Sequence, residues 1–220
     1  MTVRSLAGFV SWSLLLALGL IGRPVSGESA GGALLQRVSE RFLALTTFEA
    51  DFEQSQIWVG MESPQVSTGK LYLARPNRFR LEYSQPKGHV QVSDGERVWT
   101  YVPANGEVLL ARLGDEAKGG DMLSRLLAES TPDPLVETGS LGDTAARILT
   151  LRPDPSLGVI RLRVWTPIDA DAILQYEIED GSGNVSSYRL LKSRSNPRLD
   201  ARLFEFEPPE GIPVVEVGAP

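Results

Sequence analysis

The 220-residue chain contains no cysteine and a single histidine. The first absence excludes disulfides, thiolate metal sites and a cysteine nucleophile. It also excludes the lipid-modified N-terminal cysteine that tethers many exported bacterial proteins to a membrane. The second leaves His89, between Gly88 and Val90, with no companion for a histidine-based metal site or a Ser-His-Asp triad. By itself it reads as a surface or edge-strand histidine. Long apolar runs are equally scarce, and the exception is Phe9 to Ile21. That run follows Arg4 and is broken by Arg23-Pro24, with Val25-Ser26-Gly27 behind it, which is the pattern of a secretory leader rather than a membrane span. The expectation is a signal peptide over 1–27, cleaved near Gly27, and one domain over 28–220 that is exported, untethered and periplasmic.

Basic charge is also in deficit. Arg4 and Arg23 fall in the leader, so the remainder carries 20 basic against 28 acidic residues, a formal charge of −8. An acidic surface argues against nucleic acid and anionic membrane surfaces as partners.

What is present is alternation. From Arg78 to Tyr83, Phe79, Leu81 and Tyr83 alternate with Arg78, Arg80 and Glu82, a period-2 pattern that predicts a strand with one apolar face. The corner Arg75-Pro76-Asn77 precedes it, and Ser93-Asp94-Gly95-Glu96 turns the chain into Val98 to Val102, which carries Trp99 and Tyr101. Upstream, Leu34, Leu35, Val38, Phe42 and Leu45 recur at helical spacing across Gly31–Leu45. Thr47–Trp58 alternates Phe48, Ala50, Phe52 and Gln54 against acidic residues, and Ser67–Ala74 and Val108–Arg112 read as further strands. Past the joint at Gly119-Gly120, Asp121 is placed to N-cap a short helix over Met122–Glu129, whose stripe of Met122, Leu123, Leu126 and Leu127 cannot be buried by the helix alone. That helix is expected to lie on the sheet as a cover. Strands are expected again at 148–151, 159–166, 172–179, 185–192 and 203–207, with a hairpin loop at Asp180–Asn184. The fold class is mainly β (α+β), with roughly ten or eleven antiparallel strands curved into an open barrel around a helix or a cavity.

No constellation for bond chemistry emerges. Asp51 with Glu53 and Glu177 with Glu179 sit two apart on outer strand faces and read as solvated pairs. Gly181-Ser182-Gly183 joins two strands, whereas a phosphate loop opens a helix. Many apolar strand faces, a detachable apolar helix and no polar cluster favour binding a hydrophobic ligand over catalysis. A hydrolase on a β scaffold would need polar residues gathered inside the cavity, and a carrier of another lipid (phospholipid, fatty acid or glycolipid) fits the same pattern.

The ordered set of motifs resembles the periplasmic outer-membrane lipoprotein carrier family, LolA, over about Leu34 to Val217. Those motifs are Thr47 to Gln54, Gly69 to Leu73 running into Arg75-Pro76-Asn77 and Phe79, and Val92 to Gly95 with Val98, Trp99 and Tyr101. Ser186-Ser187-Tyr188 and Phe204-Glu205-Phe206 with Pro208 to Gly211 complete the series. The resemblance implies an unclosed β-barrel of about eleven strands with an α-helical lid, here Lys118–Pro134, over an apolar cavity for lipoprotein acyl chains. It implies a shuttle with no cofactor and no metal, a monomer that receives acylated lipoproteins from an inner-membrane LolCDE-type ABC transporter and delivers them to a LolB-type outer-membrane receptor. By the same resemblance Arg75 is the residue that holds the lid closed, and Phe79 occupies a position needed for loading. The lipid-binding wall is expected to include Phe79, Leu81 and Trp99 from the sheet and Met122, Leu126 and Leu127 from the lid.

Overall fold

The computed structural model describes residues 29–113 and 121–217. The expected signal peptide over 1–27 and the Gly119-Gly120 joint lie outside the described residues.

Helix α1 spans Ala30–Leu43. Ser29 caps it by accepting from the Gly32 amide, and Leu34, Leu35, Val38 and Phe42 form its buried stripe. Six strands follow: β1 (Thr47–Ile57), β2 (Gln65–Ala74), β3 (Arg78–Gln85), β4 (Val90–Asp94), β5 (Arg97–Val102) and β6 (Glu107–Arg112). Helix α2 (Met122–Ala128) separates them from β7 (Leu135–Leu141), β8 (Thr144–Leu151), β9 (Val159–Pro167), β10 (Gln175–Asp180) and β11 (Val185–Ser195). A short β12 (Val214–Val217) ends the described chain. All twelve strands form one sheet in the order β12-β6-β5-β4-β3-β2-β1-β11-β10-β9-β8-β7. The sheet runs as two meanders joined where β1 pairs with β11, and its end strands β12 and β7 are not paired to each other. The architecture is therefore an unclosed β-barrel with a helical lid.

Period-2 alternation decides which residues face the helices. Phe48, Ala50, Phe52 and Gln54 of β1 are all buried, as the pattern requires. Leu149 and Leu151 of β8, Leu162 and Val164 of β9 and Leu190 of β11 meet α1 and α2 in one core. Leu123, Leu126 and Leu127 of α2 are buried in that core, while Met122 is 51% exposed. Without the sheet beneath it, a helix this short would be marginal.

The outer face of β3–β6 holds a second apolar layer. Leu81 pairs with Gln91, so Val92 points to the opposite face, and Trp99 pairs with Val92. Val92, Val108 and Phe204 are buried there. Their cover is the segment expected to form a strand at Leu203–Glu207. The structure shows a 3-10 turn at Ala201–Phe204 followed by unpaired extended chain. Two causes are visible. Asp200 accepts from the Arg202 amide at 3.0 Å and starts the turn. The segment then lies across the sheet rather than along an edge. Arg80 donates to the Leu203 carbonyl at 3.2 Å, and the Arg78 guanidinium carbon stands 5.3 Å from the centroid of the Phe204 ring. Pairing occurs further on instead, where β12 runs parallel to β6, so the sheet is not wholly antiparallel. Strand β7 is an edge strand with little burial, and for that reason it has no alternation to read.

Gly69 of β2 marks a close backbone approach beside Phe52. It sits at a register shift between β2 and β3, and a Cβ there would stand 2.1 Å from the Glu82 carbonyl oxygen and 2.8 Å from the Phe52 ring. We expect Gly69→Ala to lower the unfolding free energy by about 1–3 kcal/mol. Gly181→Ala, where nothing lies within 4 Å, should change it by less than about 0.5 kcal/mol. Urea titrations of the two variants check the contrast.

Candidate functional site: a lidded apolar cavity

Between the lid and the sheet lies a cavity of about 220 Å³. Phe42 of α1 and Asp121, Met122 and Leu123 at the start of α2 form its roof. Phe48 and Phe52 of β1, Leu71 and Leu73 of β2, Phe79 and Leu81 of β3 and Gln91 of β4 form one wall. Tyr176 and Ile178 of β10 with Tyr188 and Leu190 of β11 form the other. Small-molecule pockets usually measure about 300–1,000 Å³. The cavity is below that range.

Arg75 bridges the two helices of the lid. It emerges from the end of β2, where its amide donates to the Thr46 carbonyl at 2.9 Å. Its guanidinium reaches both helices at once. Nε donates to the Leu45 carbonyl at 2.9 Å and Nη2 to the Phe42 carbonyl at 3.1 Å, both at the C-terminal end of α1. Nη1 donates to Asp121 Oδ2 at 2.9 Å and to Ser124 Oγ at 2.8 Å, at the N-terminus of α2. The guanidinium carbon also lies 5.0 Å from the centroid of the Phe42 ring. Asp121 serves two purposes, because its Oδ1 accepts from the Ser124 amide and caps α2. Its Oδ2 also accepts from Ser124 Oγ at 2.7 Å. The Arg75 and Asp121 side chains are only 20% and 18% exposed, so solvent weakens this pair less than an open surface bridge.

The residues named from sequence divide into three groups. Phe79, Leu81 and Met122 line the cavity. Leu126 and Leu127 belong to the core behind the roof, 0% and 3% exposed, because a helix of seven residues turns them away from the opening and onto α1 and the sheet. Trp99 is on the other face of the sheet, 6.3 Å from the Phe206 ring with the Arg97 guanidinium over it. Its parity with Val92 puts it there. Sequence reasoning passed over Phe42, Phe48, Phe52, Leu71, Leu73, Tyr176 and Tyr188. Alternation marks several of them as inward-facing, but only strand order reveals that β2, β3, β10 and β11 face one another across the same space.

Polar groups in the sheet wall form one network. Gln54 Nε2 donates to the Tyr188 hydroxyl at 2.8 Å, and the Tyr83 hydroxyl donates to Gln54 Oε1 at 3.0 Å. Tyr83 stacks on His89 with ring centroids 4.1 Å apart. Burial pushes the Tyr83 and Tyr188 phenols above their ordinary range and Tyr176 well above it. Among the described residues no cluster of three metal-ligating side chains occurs. Of the paired carboxylates on the outer face, Asp51 is tied across strands to Lys192 and Lys70, Glu177 to Arg163 and Glu179 to Arg161.

Residues 44–207 match the model of the family described as outer membrane lipoprotein carrier protein LolA. This chain belongs to the LolA family. Its relatives include an outer-membrane lipoprotein carrier protein of Alkalilimnicola ehrlichii, 29% identical, with 93% of each chain covered. The outer-membrane lipoprotein carrier protein of Methylococcus capsulatus is 30% identical over 77% of this chain and 81% of its own. Among solved structures, an uncharacterized conserved protein from Thermus thermophilus aligns with a TM-score of 0.53 at 15% identity. That alignment covers 86% of this chain and all of that one, a likeness of fold alone. The LolA match spans Arg75, α2 and both walls of the cavity, and leaves out α1.

His89 provides a check on the packing beside the cavity. Burial disfavours the imidazolium and lowers its pKa below the ordinary 6.5. The unfolded chain therefore takes up this proton first. The associated stability is complete above 6.5 and is lost as pH falls from 6.5 through the lower folded value. Urea unfolding across that window should show a fall in stability for the wild type that His89→Gln removes.

Proposed function

We propose that this protein is a periplasmic shuttle that shelters the acyl chains of lipoproteins and carries them across the aqueous space between two membranes. It acts by binding and release and performs no covalent chemistry. The observation that carries this reading is the Arg75 latch, a single guanidinium joining both lid helices above an apolar cavity that is too small until it opens. The relatives' name, outer-membrane lipoprotein carrier protein, supports the same cargo class. No helix among the described residues is long and apolar enough to cross a membrane.

The energetics suit a carrier. Each buried methylene contributes about 0.8 kcal/mol, so acyl chains alone would bind very tightly. A carrier must also let go. Closing the lid on an empty cavity regains the Arg75 hydrogen bonds, and loading must break them, so the latch lowers the net affinity and favours release. On this reading the cargo comes from a LolCDE-type ABC transporter of the inner membrane and goes to a LolB-type receptor of the outer membrane. Phe79, Leu81 and Met122 touch the acyl chains, and Leu126 and Leu127 hold the roof together.

The test is Arg75→Leu. The variant loses four side-chain hydrogen bonds but keeps the apolar surfaces of α1 and α2, so it should fold. It should accept a triacylated lipopeptide at least as well as wild type, yet pass on less than about a tenth as much to acceptor membranes, a loss of about 1.4 kcal/mol of release drive. Transfer at the wild-type rate would remove the latch from the mechanism.

A further inference from the structure

The cavity is not uniformly greasy, and its polar spot lies where two tyrosines meet. Tyr176 and Tyr188 are register partners on β10 and β11, their rings stack with centroids 4.8 Å apart, and both line the cavity. The Tyr188 oxygen already accepts a hydrogen bond from Gln54 Nε2 at 2.8 Å. Gln54 is 4% exposed and is held in turn by the Tyr83 hydroxyl at 3.0 Å. The acceptor side of the Tyr188 hydroxyl is thus occupied, and its proton has no acceptor among the described residues. The Tyr176 hydroxyl makes no hydrogen bond among them either.

A wall meant only to hold hydrocarbon has no use for these groups, since phenylalanine offers the same ring without a hydroxyl to satisfy. We infer that the Tyr176 and Tyr188 hydroxyls hydrogen-bond the ester carbonyls that join fatty acyl chains to their glyceryl backbone. This rests on the carrier reading above and deepens it. Buried phenols with raised pKa values stay protonated and therefore remain donors. A carbonyl ester suits them because it is an acceptor that arrives with its own hydrocarbon. A charged headgroup does not suit this space. The charged side chain in the lining is Asp121, which is engaged by Arg75 and would repel an anion. The foothold fixes how deep the chains can slide, because the esters stop at the tyrosines while the hydrocarbon fills the space among Phe48, Phe79 and Leu81.

The chemistry is shared by the diacylglyceryl group of a lipoprotein and by a diacyl phospholipid, so the experiment uses both. Binding of the purified protein is measured for a tripalmitoylated S-glyceryl-cysteine lipopeptide and for dipalmitoyl phosphatidylcholine. Each is compared with its analogue in which ethers replace the glyceryl esters. Wild type should bind the ester form about tenfold more tightly than the ether form, the contribution of one well-placed hydrogen bond. Tyr176→Phe and Tyr188→Phe should each shrink that ratio, and the double variant should bring it close to one. Tyr188→Phe deprives Gln54 of a partner and can cost stability, whereas Tyr176→Phe deprives no described residue of one and keeps the test independent of folding. Preference in the lipopeptide pair assigns the foothold to lipoprotein cargo, and preference in the phosphatidylcholine pair alone assigns it to a phospholipid. Equal wild-type affinity for ester and ether forms, or a full ester preference retained by the double variant, would overturn the foothold and leave the carrier reading standing. Failure of wild type to bind any of the four probes would overturn both.

Discussion

One guanidinium, at the end of β2, hydrogen-bonds to both helices above the sheet. Arg75 stands between the C-terminal end of α1 and the N-terminal end of α2, two sites with opposite electrostatic demands. The last carbonyls of a helix are unpaired and carry partial negative charge, so a cation is welcome there. The first turn of a helix repels a cation, and Asp121 resolves that conflict by capping α2 with one oxygen and receiving Arg75 with the other. The same carboxylate thus ties the cap of α2 to the Arg75 contact.

The sheet makes such a latch useful by keeping its two faces separate. The inner face of β1, β2, β3, β10 and β11 is left partly unfilled as the cavity. The outer face of β3 to β6 is packed beneath the C-terminal strap through Phe204, Phe206 and Trp99. Of the cavity strands, β3 shares that second apolar layer, while the outer faces of β1, β2, β10 and β11 are held by cross-strand ion pairs. An unclosed barrel adds a further freedom, because its end strands can part without breaking a ladder between them.

Much of this was legible in the chain, for physical reasons that also explain the rest. Alternation marked Phe48, Ala50 and Phe52 as inward-facing because burial on one face of a strand has period two. The stripe Leu123, Leu126 and Leu127 marked α2 for the same kind of reason, with Asp121 announcing its start. Arg75 and Phe79 were reachable as candidates through the family resemblance, and Leu81 and Met122 through strand alternation and the apolar stripe of α2. Trp99 was not, since alternation says that faces differ but not which one is inside, and pairing with Val92 reverses the expectation. Leu203–Glu207 read as a strand because Phe204 and Phe206 alternate, yet an extended segment lying across a sheet alternates in the same way. Strands β7 and β12 were invisible as edges with little burial to pattern them. The meeting of β2 and β3 with β10 and β11, which creates the cavity, depends on the β1–β11 pairing, whose partners run from Ile57 with Val185 to Phe48 with Ser195 and which no local pattern encodes.

In the function proposed above, Arg75 keeps two helices closed over a cavity that must open to be filled. Because the chain has no native cysteine, nitroxide labels can be attached to Ala128→Cys on the lid and Lys87→Cys on the loop after β3 as the only thiols present. The distance between them is then measured by pulsed electron resonance with and without bound triacylated lipopeptide. The account predicts a narrow distribution in the empty protein and a longer mean distance once the lipopeptide is bound. An unchanged distribution with cargo demonstrably bound would contradict it.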